Sequence, residues 1–131
     1  MVKSINVVSF GFLHSTLAES GVEPHLKFDL RRHFRDPHVT PELRYLDASD
    51  ARVRRAVRDT AGIPSLTMAI VKAAAAYTGG PSGGDVVVAI GCAGGRHRAP
   101  VVAHDVTAEL RRRGYSVNLW HLDGSKDVVE R

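Results

Sequence analysis

The sequence predicts an α/β fold, namely one domain with a mostly parallel sheet of four strands flanked by helices. Short apolar runs alternate along the chain with segments whose apolar residues recur at helical spacing, which is typical of strands connected by helices. Residues 85–90, DVVVAI, form an apolar run of the kind found in strands buried on both faces. Because 131 residues make one ordinary domain, we expect residues 1–131 to form a single unit.

Three further segments complete the predicted sheet. Residues 5–10, INVVSF, form a short apolar run that ends at Gly11. Residues 26–30, LKFDL, alternate apolar and polar side chains with the period of a strand. Residues 115–122, YSVNLWHL, form the last strand. If these strands are parallel, their carboxyl ends meet at one edge of the sheet.

The helices are predicted from their end signals and apolar spacing. Asp50 is a favourable N-cap, Gly62 a favourable end, and Pro64 a favourable first residue of the next helix. The predicted helices span residues 51–61, 64–78 and 100–113, and residues 36–50 are predicted to be mostly loop with a short turn at 41–45.

Composition narrows the class of protein. The chain carries 18 Lys and Arg against 14 Asp and Glu, and this net charge of +4 favours an anionic partner. We see no apolar run that spans a bilayer and no cleavable leader, so we expect a cytoplasmic protein without a membrane partner. Cys92 is the only cysteine and cannot form an internal disulfide, which agrees with a reducing compartment.

Polar groups follow the predicted strands. His14 comes after the first strand, Arg31 with its neighbours after the second, and Asp123 after the last. In open α/β sheets ligands bind outside the carboxyl ends of the strands. The sequence therefore predicts a binding site for an anion at this edge.

The segment 91–98, GCAGGRHR, joins the third strand to the next helix and is predicted to be a phosphate-binding loop. A glycine-rich turn that opens a helix directs several backbone N–H groups and the helix dipole at one point. Its glycines permit close approach of the backbone to a ligand. Arg98 is placed to bind a phosphate bidentately, and Arg96 and His97 add positive charge.

The same loop leaves an enzymatic alternative open, a cysteine-dependent phosphatase. Cys92 and Arg98 stand in the C-x5-R spacing of such enzymes, in which a thiolate attacks phosphorus and the arginine binds the oxygens. The match is incomplete, because glycine precedes the cysteine where histidine is usual and no hydroxyl residue follows the arginine. Asp36 and Asp123 are the candidates for a general acid.

Other classes of site find less support. The chain contains no Walker A motif, no HExxH motif and no paired cysteines, so we expect no cofactor and no metal. A third hypothesis is that the chain is an interaction protein. Its helix would then bind an acidic partner or RNA through Arg52, Arg54, Arg55 and Arg58. A solvated helix face is the simpler explanation of these four arginines.

Four ordered motifs resemble the C-terminal domain of the RapZ family of bacterial RNase adapter proteins. The motifs are SFGF at 9–12, FDLR at 28–31, DPH at 36–38 and GCAGGRHR at 91–98, where the family has SFGF, FDVR, NPH and GCTGGKHRS. A closing strand with histidine, NLWHLD, fits as well. The separations are similar, and the resemblance covers nearly the whole chain.

The resemblance implies a non-catalytic domain that senses a phosphorylated amino sugar, glucosamine-6-phosphate, and binds small regulatory RNA. Together with the loop, it assigns the ligand to Asp29, Arg31, His38, Ala93, Gly94, Gly95 and Arg98. The expected RNA contacts are His38, Arg96, His97, Arg98, His121 and Lys126. Family members also carry an N-terminal kinase-like domain, whereas the resemblance here is to the C-terminal domain alone, so we expect a stand-alone C-terminal domain. Because family members self-associate, we also expect homo-oligomers.

The chain departs from the family pattern at several points. Ala93 stands where the family has threonine, and Ala99 where it has serine, so two hydroxyls are missing beside the phosphate position. The family's basic C-terminal run is here GSKDVVER, in which Asp127 and Glu130 offset the charges of Lys126 and Arg131. The metabolite site is therefore the more firmly predicted of the two.

Overall fold

The computed structural model describes residues 3–130 and shows the predicted α/β architecture. The strands are β1 (Ser4–Gly11), β2 (Leu26–Asp29), β3 (Val86–Cys92) and β4 (Ser116–His121). The helices are α1 (Thr16–Glu19), α2 (Pro41–Arg44), α3 (Ala51–Arg58), α4 (Ile63–Thr78) and α5 (Arg98–Arg112), with a 3-10 turn at Pro37–Val39.

The four strands form one sheet in the order β2-β3-β1-β4, and every pairing is parallel. The prediction of a mostly parallel sheet is thus confirmed. The register pairs Gly11 with Cys92 and Asp29 with Gly91, so the ends of β1, β2 and β3 lie side by side.

The two faces of the sheet are covered unequally. Side chains at alternate positions, such as Ile5, Val7 and Val88, pack with α3, α4 and α5 into the main hydrophobic core. The opposite face packs Val8 against Leu17 of the short helix α1. This second face is covered only in part, and Trp120 on it is 50% exposed.

The direction of the connections creates a crevice at the strand ends. The chain leaves β1 for β2 through α1 on one face, and it leaves β3 for β4 through α5 on the other face. Because β1 and β3 are neighbours, the connections that follow them leave the sheet edge towards opposite faces, and a crevice opens between the ends of these two strands. Such a topological switch point is where ligands bind in open α/β sheets.

Element boundaries differ from the prediction where local signals compete. The carboxylate of Asp50 accepts a hydrogen bond from the Arg52 N–H at 2.8 Å, as expected of an N-cap, but α3 already ends at Arg58. Gly62, with φ of +92°, instead precedes α4 as its N-cap. The four residues of α1 were not predicted, because so short a segment carries no periodicity.

A property of the helices bears on membrane association. Within the part of the chain described here, no helix combines the length and the apolar composition needed to cross a bilayer.

Gly91 occupies a position where two aromatic rings close over the sheet. The rings of Phe10 and Phe12 meet edge to face with centroids 4.7 Å apart. A Cβ atom on Gly91 would lie 2.4 Å from Cζ of Phe10 and 2.6 Å from Cε2 of Phe12. Only glycine therefore fits beneath the rings without moving them.

We expect Gly91→Ala to lower the free energy of unfolding by about 1–3 kcal/mol, because the added methyl group overpacks the site. Urea denaturation measures this loss. Gly84→Ala is the matched control, since no atom lies within 4 Å of its added Cβ, and its effect should stay within about 0.5 kcal/mol. Equal losses in both variants would contradict this account.

Candidate functional site

The loop between β3 and α5 is pressed against the end of β1 at the switch point. A Cβ atom on Gly11 would lie 2.5 Å from the carbonyl carbon of Gly94, so the two backbones are in direct contact. Gly95 has φ of +77°, a conformation that side chains rarely permit. The loop glycines therefore allow close approach to the backbone of β1, and their approach to a ligand stays a prediction.

The carboxylate of Asp123 joins this loop to the rest of the site. It is fully buried, and it accepts hydrogen bonds from the Gly11 N–H and the Thr16 hydroxyl, each at 2.8 Å. The ammonium group of Lys126 lies 2.8 Å from its Oδ1 atom. A Cβ atom on Gly95 would lie 2.8 Å from Cβ of Asp123, so the loop packs directly on this residue.

Arg98 is turned inward at the first turn of α5 and is only 2% exposed. Its Nη1 donates to the carbonyl oxygens of Leu30 at 2.8 Å and of Arg31 and Phe34 at 3.2 Å. Its Nη2 lies 3.1 Å from the carboxylate of Asp36. The guanidinium thus ties the segment after β2 to α5, and its Nε is buried with no hydrogen-bond partner.

The two side chains before Arg98 also bond to the backbone. Arg96 donates to the carbonyl oxygens of Tyr45 at 2.7 Å and of Lys126 at 2.5 Å. Nε2 of His97 lies 2.7 Å from the carbonyl oxygen of Leu46, and since a carbonyl only accepts, this nitrogen carries the proton. These two side chains join the loop to the α2 region and to the C-terminal segment.

The C-terminal segment covers the crevice that the predicted residues form. His38, Arg96 and Arg98 line this crevice together with Val128 and Val129. Its volume of about 10 Å³ is far below the roughly 300 Å³ at which small-molecule pockets usually begin. A further tie holds the segment, because the Tyr45 hydroxyl lies 3.0 Å from Oε1 of Glu130.

Asp29 and Arg31 form a second polar cluster at the end of β2, on the side of Phe12. The guanidinium of Arg31 bonds bidentately to Asp29, with its closest contact at 2.7 Å, and the bond lowers the pKa of this carboxyl group. The same guanidinium lies 3.8 Å from the centre of the Phe12 ring, as in a cation–π contact. Both side chains are about half exposed and accessible to a ligand.

The geometry around Cys92 does not suit a nucleophile. Its side chain belongs to the hydrophobic core and is 2% exposed, and its Sγ lies 3.4 Å from the Ala99 N–H. The candidate acids are occupied, since Asp36 pairs with Arg98 and Asp123 accepts from several donors. These positions weigh against the phosphatase alternative.

The structure does not bring all the predicted RNA contacts together. His121 lies at the end of β4, where its Nδ1 is 2.6 Å from the hydroxyl oxygen of Ser9. Lys126 is held by Asp123 and by the Thr16 hydroxyl on the side of α1. The expected RNA contacts therefore lie in three places, namely the covered crevice, His121 at the end of β4 and Lys126 beside α1.

The arginines of α3 are largely engaged within the fold. Arg52 pairs with Asp50 at 2.9 Å, and Arg58 pairs with Asp105 at 2.8 Å. Arg54 donates to two backbone carbonyls in the turn before the helix. These contacts support the explanation of a solvated helix face over that of a docking helix.

Sequence reasoning missed two kinds of contributor to the site. Ser9 is fully buried, and a hydroxyl inside the apolar run INVVSF was the available signal for a buried hydrogen bond. Tyr45, Val128 and Val129 enter through tertiary contacts, and no local pattern marks them.

The chain is similar to a known protein family and to several bacterial proteins. Residues 3–125 match the family described as the RapZ C-terminal domain. The chain is 32% identical over 121 residues to a protein of Thermobifida fusca (strain YX) named "Nucleotide-binding protein", with 90% of this chain and 40% of the relative covered. Proteins of the same name from Thermotoga neapolitana and Limosilactobacillus reuteri (strain DSM 20016) are 31% and 26% identical over 126 and 125 residues.

The alignments cover most of this chain but less than half of each relative. They include 94% of this chain with the Thermotoga protein and 93% with the Limosilactobacillus protein, but only 43% and 41% of those proteins. The chain thus spans about two fifths of the length of the curated relatives it matches.

We expect Asp123→Asn to destabilise the fold by about 1–3 kcal/mol, because the amide cannot accept equally from donors that include an ammonium group. Burial alone would raise the pKa of Asp123, but its bonds to Lys126, Gly11 and Thr16 outweigh this and lower the pKa below 3.8. The contribution of the ionised Asp123 carboxylate to the free energy of unfolding is therefore complete above the ordinary pKa of an aspartate, and it is lost as the pH falls through the lowered pKa of the folded protein. Urea denaturation at several pH values measures both effects.

Asp127→Asn serves as the control for this variant, because Asp127 is exposed in the same segment. It should leave both the stability and its acid dependence unchanged. An Asp123→Asn protein as stable as the parent at neutral pH would refute the role assigned to the buried carboxylate.

Proposed function

We propose that this chain, which belongs to the RapZ C-terminal domain family, is a non-catalytic binding domain and takes a phosphorylated amino sugar as its ligand. The supporting observation is the placement of the glycine-rich loop and its cations at the switch point, with the exposed Asp29 and Arg31 pair at the end of the neighbouring strand β2. The relatives named as nucleotide-binding proteins agree with a phosphorylated ligand, although this chain spans two fifths of their length.

The phosphate belongs at the start of α5 in this proposal. There the helix dipole and the backbone N–H groups of the loop favour an anion. Arg98 supplies positive charge at the first turn of α5. Its buried Nε has no hydrogen-bond partner, so no hydrogen bond of this atom would have to be broken. Asp36, which already pairs with Arg98, is the group that a phosphate would have to displace or join.

The sugar belongs on the side of β2. Arg98 bonds to the carbonyl oxygen of Arg31, so the cluster of Asp29 and Arg31 borders the phosphate position. The carboxylate of Asp29 is exposed and suits the ammonium group of an amino sugar. Asp29 thereby accounts for preference among sugar phosphates.

Entry of this ligand requires the C-terminal segment to move. Val128 and Val129 line the crevice, and its volume leaves too little room for a sugar phosphate. The contacts to be broken include the bond between Arg96 and the Lys126 carbonyl and that between Tyr45 and Glu130. Binding therefore exchanges contacts made by the chain itself for contacts with the ligand.

Calorimetric titration with glucosamine-6-phosphate, glucose-6-phosphate, glucosamine and inorganic phosphate tests the proposal. We expect glucosamine-6-phosphate to bind most tightly and glucosamine not to bind. In Asp29→Asn the preference for the amino sugar over glucose-6-phosphate should fall about tenfold, because one charge-assisted hydrogen bond is lost.

Asp127→Asn again gives the matched control and should leave all four titrations unchanged, since Asp127 lies outside the crevice. The absence of heat with glucosamine-6-phosphate in the parent protein would overturn the metabolite proposal. Binding with an unchanged preference in Asp29→Asn would overturn the role of this carboxylate and keep the loop as the phosphate site.

RNA is the second ligand that we propose, on the strength of the family resemblance and the net charge of +4. Several phosphates would then be neutralised at once. We expect the logarithm of the affinity for a single-stranded oligonucleotide to fall with the logarithm of salt with a slope of about −0.7 for each phosphate contacted. The sugar phosphate should show a much weaker dependence, and fluorescence anisotropy from low to physiological salt measures the slope. A flat salt response would contradict an RNA-backbone footprint.

A further inference from the structure

A groove outside the crevice lies between α3, α5 and the end of β4, and we refer to it as the His121 groove. Its lining includes Arg54, Arg58, Pro100, Val101, His104 and His121. Its volume is about 380 Å³, at the lower end of the usual range for small-molecule sites. A second concavity shares Pro100 and His121 and extends the groove to Ser125, near the carboxyl edge of the sheet.

His121 is held in a fixed orientation at the junction of these two concavities. Its Nδ1 bonds to the Ser9 hydroxyl at 2.6 Å, and Ser9 is fully buried in β1. A ring anchored through one nitrogen presents the other nitrogen and its flat face elsewhere. Because the residue itself is exposed and lines both concavities, its free edge is available to a ligand.

Cationic and titratable groups outnumber acidic ones around the groove. Arg54 is fixed by two backbone carbonyls, while Arg58 and His104 both contact the carboxylate of Asp105. Asp47 lines the extension towards the sheet edge. Burial and the nearby His104 lower the pKa of His121, and an anion bound between the two rings would favour the protonated form of His121.

Apolar atoms complete the site. Ala48, which is partly exposed before α3, and Pro100 in the first turn of α5 line both concavities and provide an apolar wall beside the imidazole rings. A planar base can pack on such a wall and on imidazole faces, while the cations at the rim suit its phosphate. A phosphate without a base would leave the apolar wall unused.

We propose that the His121 groove binds one nucleotide, with its base against Ala48, Pro100 and the imidazoles and its phosphate between His104 and His121. The nucleotide is either free or part of a single-stranded RNA. For the RNA source alone, this inference rests on the function proposed above. The groove is a separate site from the crevice of the sugar phosphate.

The test records the imidazole NMR signals of His104 and His121 while the protein is titrated with adenosine 5′-monophosphate, ribose 5-phosphate or a five-residue oligouridine. We expect the mononucleotide to shift both signals and to bind roughly tenfold more tightly than ribose 5-phosphate, because the base adds stacking. If the oligouridine binds more tightly than the mononucleotide, RNA is identified as the source, and the reverse order of affinities identifies a free nucleotide.

His104→Ala should weaken this binding about tenfold, and the 60% exposure of the His104 side chain means that the fold tolerates the change. Arg55→Ala is the matched control, since Arg55 is an exposed arginine on the same helix as Arg54 and Arg58 but does not line the groove. It should leave the binding unchanged.

Two results would overturn the nucleotide groove. One is the absence of shifts at both histidines with all three probes. The other is oligouridine binding that survives His104→Ala and His121→Gln, which would place RNA elsewhere and leave the proposed function intact. Glucosamine-6-phosphate binding should persist in His104→Ala, so failure of the crevice and failure of the groove give different results.

Discussion

The buried carboxylate of Asp123 is the interaction on which the rest of the site depends. It receives hydrogen bonds from the end of β1 and from α1, and an ion pair from Lys126 in the C-terminal segment. Because Gly95 packs against its Cβ, the loop that opens α5 is positioned by the same residue. A desolvated charge is costly unless it is fully paired, so this point tolerates little rearrangement.

The cations of the loop serve the fold as well as any ligand. Arg98 closes the segment after β2 onto α5, and Arg96 holds the C-terminal segment over the crevice, both through backbone carbonyls. Charged hydrogen bonds of this kind are stronger than neutral ones. A net positive charge in the sequence therefore overstates the positive surface that faces solvent around the loop.

The sequence was informative where the signal is local and less so where the signal is tertiary. The apolar run of β3 and the N-cap at Asp50 predicted their elements, and the strand order followed only from the structure. The loop at 91–98 was predicted to direct its cations at a phosphate, but Arg96 and Arg98 instead donate to backbone carbonyls that are distant in sequence. The cover formed by Val128 and Val129 depends on contacts across the whole chain, which periodicity does not encode.

The unequal covering of the sheet has an optical consequence. Trp120 is the single tryptophan of the chain, and it stands half exposed on the face opposite α3, α4 and α5, next to the apolar side chains of Val8 and Leu122. Its neighbour His121 points the other way, because successive side chains of a strand alternate. The intrinsic fluorescence of the protein therefore reports on the open face of the sheet: a protein partner that covers this face would shift the emission to the blue, whereas small ligands on the helical side would leave the indole in water.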